Sequence, residues 1–329
     1  MLFRLPYSAL GAFCKAASIG NRGIFFGRPL PSSSFHLQAP RSCSSSSGGG
    51  GDVHVCVASE EVRRLLPWLP ARLHECAPPP VRQALGQEQL VLQVAPDGSL
   101  ELQHLPFTSS SSPPRKKMKP WRVDFLQGPL LHRGRGSCRT ELLIKALRGS
   151  SSVSASSGGY GGGSVVVDLT AGMGRDAFLL ASAGHTVVCV EKNAVLAALL
   201  ADAVGRLRRG GGQGGPGGRM RVLWADSTSP DLPLLVTQAL SQTQTQTQGQ
   251  GQGQGQGGTA LLVGAPELLL EHATSMPVPV HVRLSVYLDP MYPHFSVGRR
   301  AAVGKDSQML RLLANAGDAV NSGGGGGGG

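Results

Sequence analysis

The stretch that decides the fold is Val165 to Glu191, VVVDLTAGMGRDAFLLASAGHTVVCVE. It opens with three valines preceded by glycine and serine, a short apolar run of the kind that forms a buried strand. Asp168 closes that strand. Gly172 and Gly174 follow, then Arg175-Asp176 opens an apolar helix, Ala177 to Ala183, with Gly184 placed to cap it. His185 leads into a second strand, Thr186 to Val190, which ends at Glu191. Strand, glycine turn, helix, strand and closing acid make the first βαβ unit of a nucleotide-binding α/β sheet. In such sheets the ligand lies beyond the carboxyl ends of the strands, where Asp168, the glycines and Glu191 fall.

Downstream, Asn193 caps a helix from Ala194 to Arg209. Its Val195, Leu196, Leu199, Leu200, Ala203 and Leu207 share one apolar face. Gly210 to Gly218 reads as a loop and Met220 to Trp224 as a third strand, followed by Ala225-Asp226-Ser227. Residues 241–258 are Gln/Thr and then Gln/Gly repeats, which read as a disordered insertion. Arg283 to Leu288 forms a fourth strand that runs into Asp289-Pro290-Met291-Tyr292-Pro293-His294. Gly298 to Lys305 is a basic loop, Ser307 to Ala314 is helical, and residues 323–329 are a glycine tail.

Upstream, the same domain begins near residue 121 and extends to about 322. Residues 121–148 carry His132, Arg133, Arg135 and Arg139 in a glycine-containing loop, read as a phosphate- or RNA-facing loop. A helix follows, with Leu142, Leu143, Ala146 and Leu147 on its apolar face. Residues 149–164 are a Gly/Ser joint and 107–120 a linker ending in Arg115-Lys116-Lys117-Met118-Lys119. Residues 52–106 read as a small separate α+β unit. Val53 to Val57 is a strand and Glu60 to Leu66 a short helix that Pro67 stops. Leu90 to Val94 and Leu100 to Leu102 form a hairpin about Pro96-Asp97-Gly98.

Residues 1–51 hold Arg4, Lys15, Arg22, Arg28 and Arg41, dense serine from Ser32 to Ser47, and no acid before Asp52. That is transit-peptide composition. Its five basic residues leave +6 of the chain's +11 net charge, which still suits an acidic partner such as nucleic acid. No apolar run reaches the ~18 residues a membrane helix needs. The six cysteines are scattered without a C-x-x-C pair, so no zinc site or disulfide framework is expected and no metal is implied.

Gly172-x-Gly174-x-x-Ala177 fits a dinucleotide fingerprint, but the charges around it favour S-adenosylmethionine (SAM). Asp168 and Asp176 flank the turn; they would repel a pyrophosphate, yet can pair with the amino group of a methionine moiety. Glu191 is placed to accept ribose hydroxyls, and Asp226-Ser227 to meet the adenine. Asp289-Pro290-Met291-Tyr292 resembles the Asp/Asn-Pro-Pro-Tyr motif of methyltransferases acting on exocyclic amines of bases. Such an amine is a poor nucleophile because its lone pair is delocalised into the ring. The Asp289 side chain and a rigid carbonyl near Pro290 can hold the NH2 and favour a tetrahedral nitrogen, while Tyr292 stacks on the base. Alignment and dry surroundings supply most of the rest.

With Thr170-Ala171, Glu191-x-Asn193, Val123-Asp124-Phe125, His132-Arg133 and Arg139-x-Glu141 added, these motifs resemble the RsmJ family. Those are bacterial SAM-dependent methyltransferases of a guanine N2 in small-subunit ribosomal RNA; methionine at the position of Met291 is that family's variant. The resemblance covers roughly residues 52 to 320 without the linkers and the insertion. It implies a class I, Rossmann-like doubly wound α/β sheet with a small β-rich unit in front. It also implies that Arg175, Asp176, Glu191, Lys192, Asp226, Ser227 and Asp289 line the SAM site; the family has serine where Asp226 stands. The family continues past this chain's last helix with further strands and a basic Lys-Arg-Pro segment. The expectation is therefore a truncated sheet, incomplete at its C-terminal strands, with an exposed edge.

The reading that follows is methyl transfer from SAM to a guanine N2 of small-subunit rRNA in a eukaryotic organelle. Ser/Arg density favours the plastid over the mitochondrion. The partners are rRNA or the small ribosomal subunit, with no membrane. The alternatives are a SAM-dependent methyltransferase for another RNA, DNA or protein amine, and a non-catalytic RNA- or ribosome-binding remnant. An NAD dehydrogenase would leave the Asp289 motif unexplained. The target guanine and the oligomeric state are not legible.

Overall fold

The computed structural model describes residues 2–6, 53–66, 69, 73, 88–106, 118–134, 141–148, 164–211, 214–248, 261–263, 283–289, 306–310 and 312–313. Pro290, Tyr292, Arg135 and Arg139 of the expected site lie outside them. In chain order the elements are β1 (Leu2–Pro6), β2 (Val53–Val57), α1 (Glu60–Leu65), β3 (Glu88–Val94), β4 (Leu100–Leu105), α2 (Gly128–His132) and α3 (Leu142–Arg148). Then come β5 (Val165–Asp168), α4 (Arg175–Ser182), β6 (Thr186–Glu191), α5 (Ala194–Gly211), α6 (Pro216–Arg219), β7 (Met220–Trp224), α7 (Leu232–Gln248), β8 (Leu261–Val263) and β9 (Arg283–Tyr287). Residues 306–310 and 312–313 are helical.

Six strands form the main sheet in the order β1-β9-β5-β6-β7-β8. The pairings from β9 through β8 are all parallel. Parallel strands covered on both faces carry near-continuous apolar runs, and Val187 to Val190 is buried throughout. Strand alternation then divides the core. Val166, Val187, Cys189 and Val222 pack with α4 and α5 on one face. Val167, Val188, Val190, Leu223, Leu284 and Val286 pack with Leu232, Leu235, Val236 and Ala239 of α7 on the other. Helices on both faces of a parallel sheet make this a doubly wound, Rossmann-like α/β fold, as the sequence led one to expect.

Two helix ends follow the sequence rules closely. The Asn193 Oδ1 accepts the backbone N–H groups of Val195 and Leu196, each at 3.1 Å, and so caps α5. Gly184, at φ 102°, lets the chain turn after α4, and His185 N donates back to Leu180 O at 3.1 Å.

The small sheet, β2-β3-β4, does not stand apart. Leu90, Leu92, Leu100 and Leu102 belong to the same buried cluster as Trp121, Phe125, Phe178 and Leu199. Trp121 exchanges both backbone hydrogen bonds with Leu102, and Asp202 on α5 accepts the Leu100 N–H at 3.2 Å. The unit expected to be separate is thus built onto the outer face of α5.

Several expectations give way. The apolar face of α3 is Leu143, Ile144 and Leu147, so Leu143 and Leu147 pack as expected, while Leu142 is 82% exposed and Ala146 is exposed. His132 closes the short helix α2 instead of lying in a loop. The glycine-rich loop after α5 contains the single turn α6, held by Arg208, whose Nε donates to Gly217 O at 2.8 Å and whose Nη2 donates to Met220 O at 2.5 Å. The polar repeat expected to be disordered is helical as far as Gln248. Glutamine is a good helix former, and the buried residues at 232–239 anchor the helix that the repeat prolongs. Residues 249–258 lie outside the described residues. Strand β8, three residues long, was not foreseen.

The expected bare edge beyond β9 is covered. Leu2–Pro6, inside the stretch read as a leader, pairs antiparallel with it, Leu2 opposite Tyr287 and Pro6 opposite Arg283. Among the described residues no helix is long and apolar enough to cross a membrane.

Candidate SAM site at the strand ends

The ends of β5, β6 and β9 are tied together by backbone. Leu169 N donates to Tyr287 O, Ala171 N to Val190 O and Ala225 N to Glu191 O. These bonds hold the glycine turn over the sheet. Gly172 and Gly174 take φ values of 53° and 68°, a region other residues enter only with strain. Gly174 has a second reason to be glycine: a Cβ there would lie 2.5 Å from Leu200 Cδ1 and 3.3 Å from Phe125 Cζ. The turn is pressed onto α5 and onto the segment before α2.

Four carboxylates converge around this turn. Asp168, buried at the end of β5, accepts the Thr170 N–H at 3.1 Å. Burial pushes its carboxyl up to about 7, and the charges of Asp176, Glu191 and Asp289 push it the same way. Glu191 accepts Gly172 N at 3.0 Å and Asn193 N at 2.8 Å, one with each oxygen. Burial raises its pKa and these backbone bonds partly oppose the rise. Asp176 Oδ2 accepts the hydroxyl of Tyr287 at 2.7 Å. The Tyr287 pKa is raised, first by burial and then by this bond to a carboxylate. Asp289 follows β9, its backbone N donating to Thr170 Oγ1 at 2.9 Å.

The structure therefore brings Asp168, Gly172, Gly174, Asp176, Glu191 and Asp289 together. Lys192 and Asp226-Ser227 follow the next strand ends. Lys192 O accepts the indole N–H of Trp224 at 3.0 Å, while Asp226 Oδ1 accepts Thr228 N and Oγ1 at 2.8 and 2.7 Å. Arg175 pairs with Asp306. Arg133 is paired with Glu141 at 2.9 Å, and His132 is exposed on α2.

Two residues went unassigned from sequence: Tyr287, which holds Asp176, and Thr170, which holds Asp289. A signal existed for the first. Tyr287 is the last residue of β9, at the strand ends where the ligand of such a sheet lies.

The chemistry of this donor set fits SAM. Carboxylates suit an ammonium, a sulfonium and a ribose diol, and they repel a pyrophosphate. Gly172, whose added Cβ would meet nothing closer than 3.9 Å, presents bare backbone on the turn for a ligand to approach.

Comparison with known proteins agrees. Residues 87–229 match the family described as "Putative SAM-dependent methyltransferase". The ribosomal RNA small subunit methyltransferase J of Tolumonas auensis is 39% identical over 215 residues, 65% of this chain and 63% of that protein. Over that stretch the chain is similar to that protein. The protein of the same name from Chromohalobacter salexigens is 30% identical over 200 residues, 60% of this chain and 58% of its own length. That from Dechloromonas aromatica is 38% identical over 124 residues, 37% and 43% of the two chains. The longer RsmJ matches thus span about three fifths of their relatives. A solved methyltransferase from Neisseria gonorrhoeae overlaps 58% of this chain and 65% of its own at 23% identity, with a TM-score of only 0.38. The fold assignment rests on strand order and the family match instead.

Proposed function

We propose that the chain transfers a methyl group from SAM to the exocyclic N2 of a guanine in small-subunit ribosomal RNA of an organelle. The observation that carries this reading is the convergence of Asp168, Asp176, Glu191 and Asp289 around a glycine turn at the ends of adjacent parallel strands. The names of the relatives support the RNA substrate. The acid-free, serine-rich residues 1–51 support an organelle, the plastid ahead of the mitochondrion. Removal of that leader on import would also remove β1.

Asp168, Asp176 and Glu191 would hold the cofactor, with Lys192, Asp226 and Ser227 at the neighbouring strand ends. When bound, SAM supplies a methyl on a sulfonium, an electrophile that needs no metal. Asp289 then accepts the amine's N–H and biases its nitrogen towards a nucleophilic geometry. The Thr170 hydroxyl fixes the backbone from which Asp289 projects. Tyr287 keeps Asp176 oriented, so little reorganisation is left for the reaction itself. Pro290 and Tyr292, proposed to complete the amine site, lie outside the described residues.

The test is transfer of labelled methyl from SAM to a small-subunit rRNA transcript, with digestion to locate the modified base. Asp289→Ala should abolish transfer while some SAM binding persists. Full activity in that variant would end the base-amine reading, and label on another base or on protein would redirect it.

A further inference from the structure

A cavity of about 370 Å³ lies between the 122–133 segment and the glycine turn, within the size range of small-ligand sites. It meets the cofactor residues only at Arg175; none of the four clustered carboxylates lines it. Its open apolar wall is Pro129, Leu130 and Met173. Around that wall stand three partly exposed arginines, Arg122, Arg133 and Arg175.

Each arginine is held by a carboxylate at the surface: Arg122 by Asp97 at 2.6 Å, Arg133 by Glu141 at 2.9 Å, and Arg175 by Asp306. Surface pairs of this kind contribute little, so an incoming phosphate can displace the acid without great loss. The wall behind them is rigid. Arg206, half-buried on α5, donates to Val123 O at 2.5 Å and to Asp202 at 2.9 Å, and Phe125 stacks on Phe178 with ring centroids 5.1 Å apart. Two carboxylates, Asp124 and Asp306, share the lining, but the three guanidiniums outnumber them, and an apolar slot with a net positive rim is complementary to a single-stranded polyanion with flat bases.

We propose that this cavity is a subsite for an RNA nucleotide neighbouring the one that is modified, with its base against Leu130 and Met173 and its phosphates on Arg122 and Arg133. The proposal rests on the rRNA reading above. Met173 and Arg175 belong to the same turn as Gly172 and Gly174, so occupation of the cavity would register the RNA against the glycine turn.

The test uses the full chain, a fluorescein-labelled single-stranded RNA oligonucleotide of mixed sequence, and a salt series. Arg133→Gln should weaken RNA binding and lower the slope of log K against log salt by about 0.7, the share of one phosphate contact. Calorimetric SAM affinity should be unchanged. Glu141→Gln, which releases Arg133, should strengthen RNA binding, a gain that misfolding cannot mimic. An unchanged RNA slope in Arg133→Gln, or loss of SAM binding with RNA binding intact, overturns the subsite; the second result would make the cavity part of the cofactor site. A parent chain that transfers methyl but binds no RNA oligonucleotide also overturns it while leaving the proposed activity standing. Failure of the activity itself is read separately, in the transfer assay.

Discussion

Gly174→Ala is the substitution whose cost the structure sets most clearly. The backbone there has φ 68°, so an alanine carries the left-handed penalty of about 1–2 kcal/mol. Its Cβ would also lie 2.5 Å from Leu200 Cδ1 and 3.3 Å from Phe125 Cζ. Both neighbours are almost fully buried, Leu200 at 0% and Phe125 at 1% exposure, so neither can swing into solvent. Overpacking of such a site costs about 1–3 kcal/mol. The sum is roughly 2–5 kcal/mol, or roughly 5–15 °C in melting temperature for a domain of this size. Gly98→Ala is the control: φ is 77° and no atom lies within 4 Å of the added Cβ, so only the backbone penalty applies. Thermal unfolding of both variants, followed by circular dichroism, separates strain from contact. A Gly174→Ala chain that melts at or above Gly98→Ala would refute the packing of the turn against α5.

Other outcomes follow from the same site. Tyr287→Phe removes the bond to Asp176, a hydrogen bond to a charged group of the class that contributes about 1.5–3 kcal/mol; SAM affinity measured by calorimetry should fall at least severalfold while the fold persists. Asp168 has its pKa raised from 3.8 to about 7, so the folded chain keeps a proton that the unfolded chain has lost. Its contribution to stability therefore declines as pH rises across that interval and levels off above it. A cationic ligand favours the charged carboxylate, so SAM affinity should tighten as pH rises through about 7; Asp168→Asn should flatten that profile, and an unchanged profile would show that another group controls it. A chain lacking residues 1–51 should retain SAM binding but melt lower, because β9 loses its five-residue partner; loss of SAM binding would make β1 part of the working fold.

The site's scaffold was legible because it is local. Val165 to Glu191 contains strand, turn, helix and strand in one short span, and the burial of Val166-Val167 and Val187 to Val190 follows from their apolar runs. Asn193 announced its cap by residue type alone. What was not legible depends on contacts distant in sequence. The partner that Tyr287 would find lies 111 residues upstream, and the Trp121 indole meets Asp306 across 185 residues. Arg175 shows the same dependence, its side chain pairing with Asp306, 131 residues downstream, at the mouth of the neighbouring cavity. The face of α3 was half misread: Leu143 and Leu147 pack on the core, but Ile144 joins them in place of Leu142 and Ala146, and only packing distinguishes the two stripes. The polar repeat was misread because composition describes its residues but not the buried turns that precede them.

The central claim is that the carboxylate cluster around the glycine turn binds SAM. Calorimetric titration of the full chain with SAM, alongside Asp176→Ala, tests it most directly. The account predicts saturable, one-to-one binding that is lost or severely weakened in the variant. No binding by the parent chain, or equal binding by both, would contradict it.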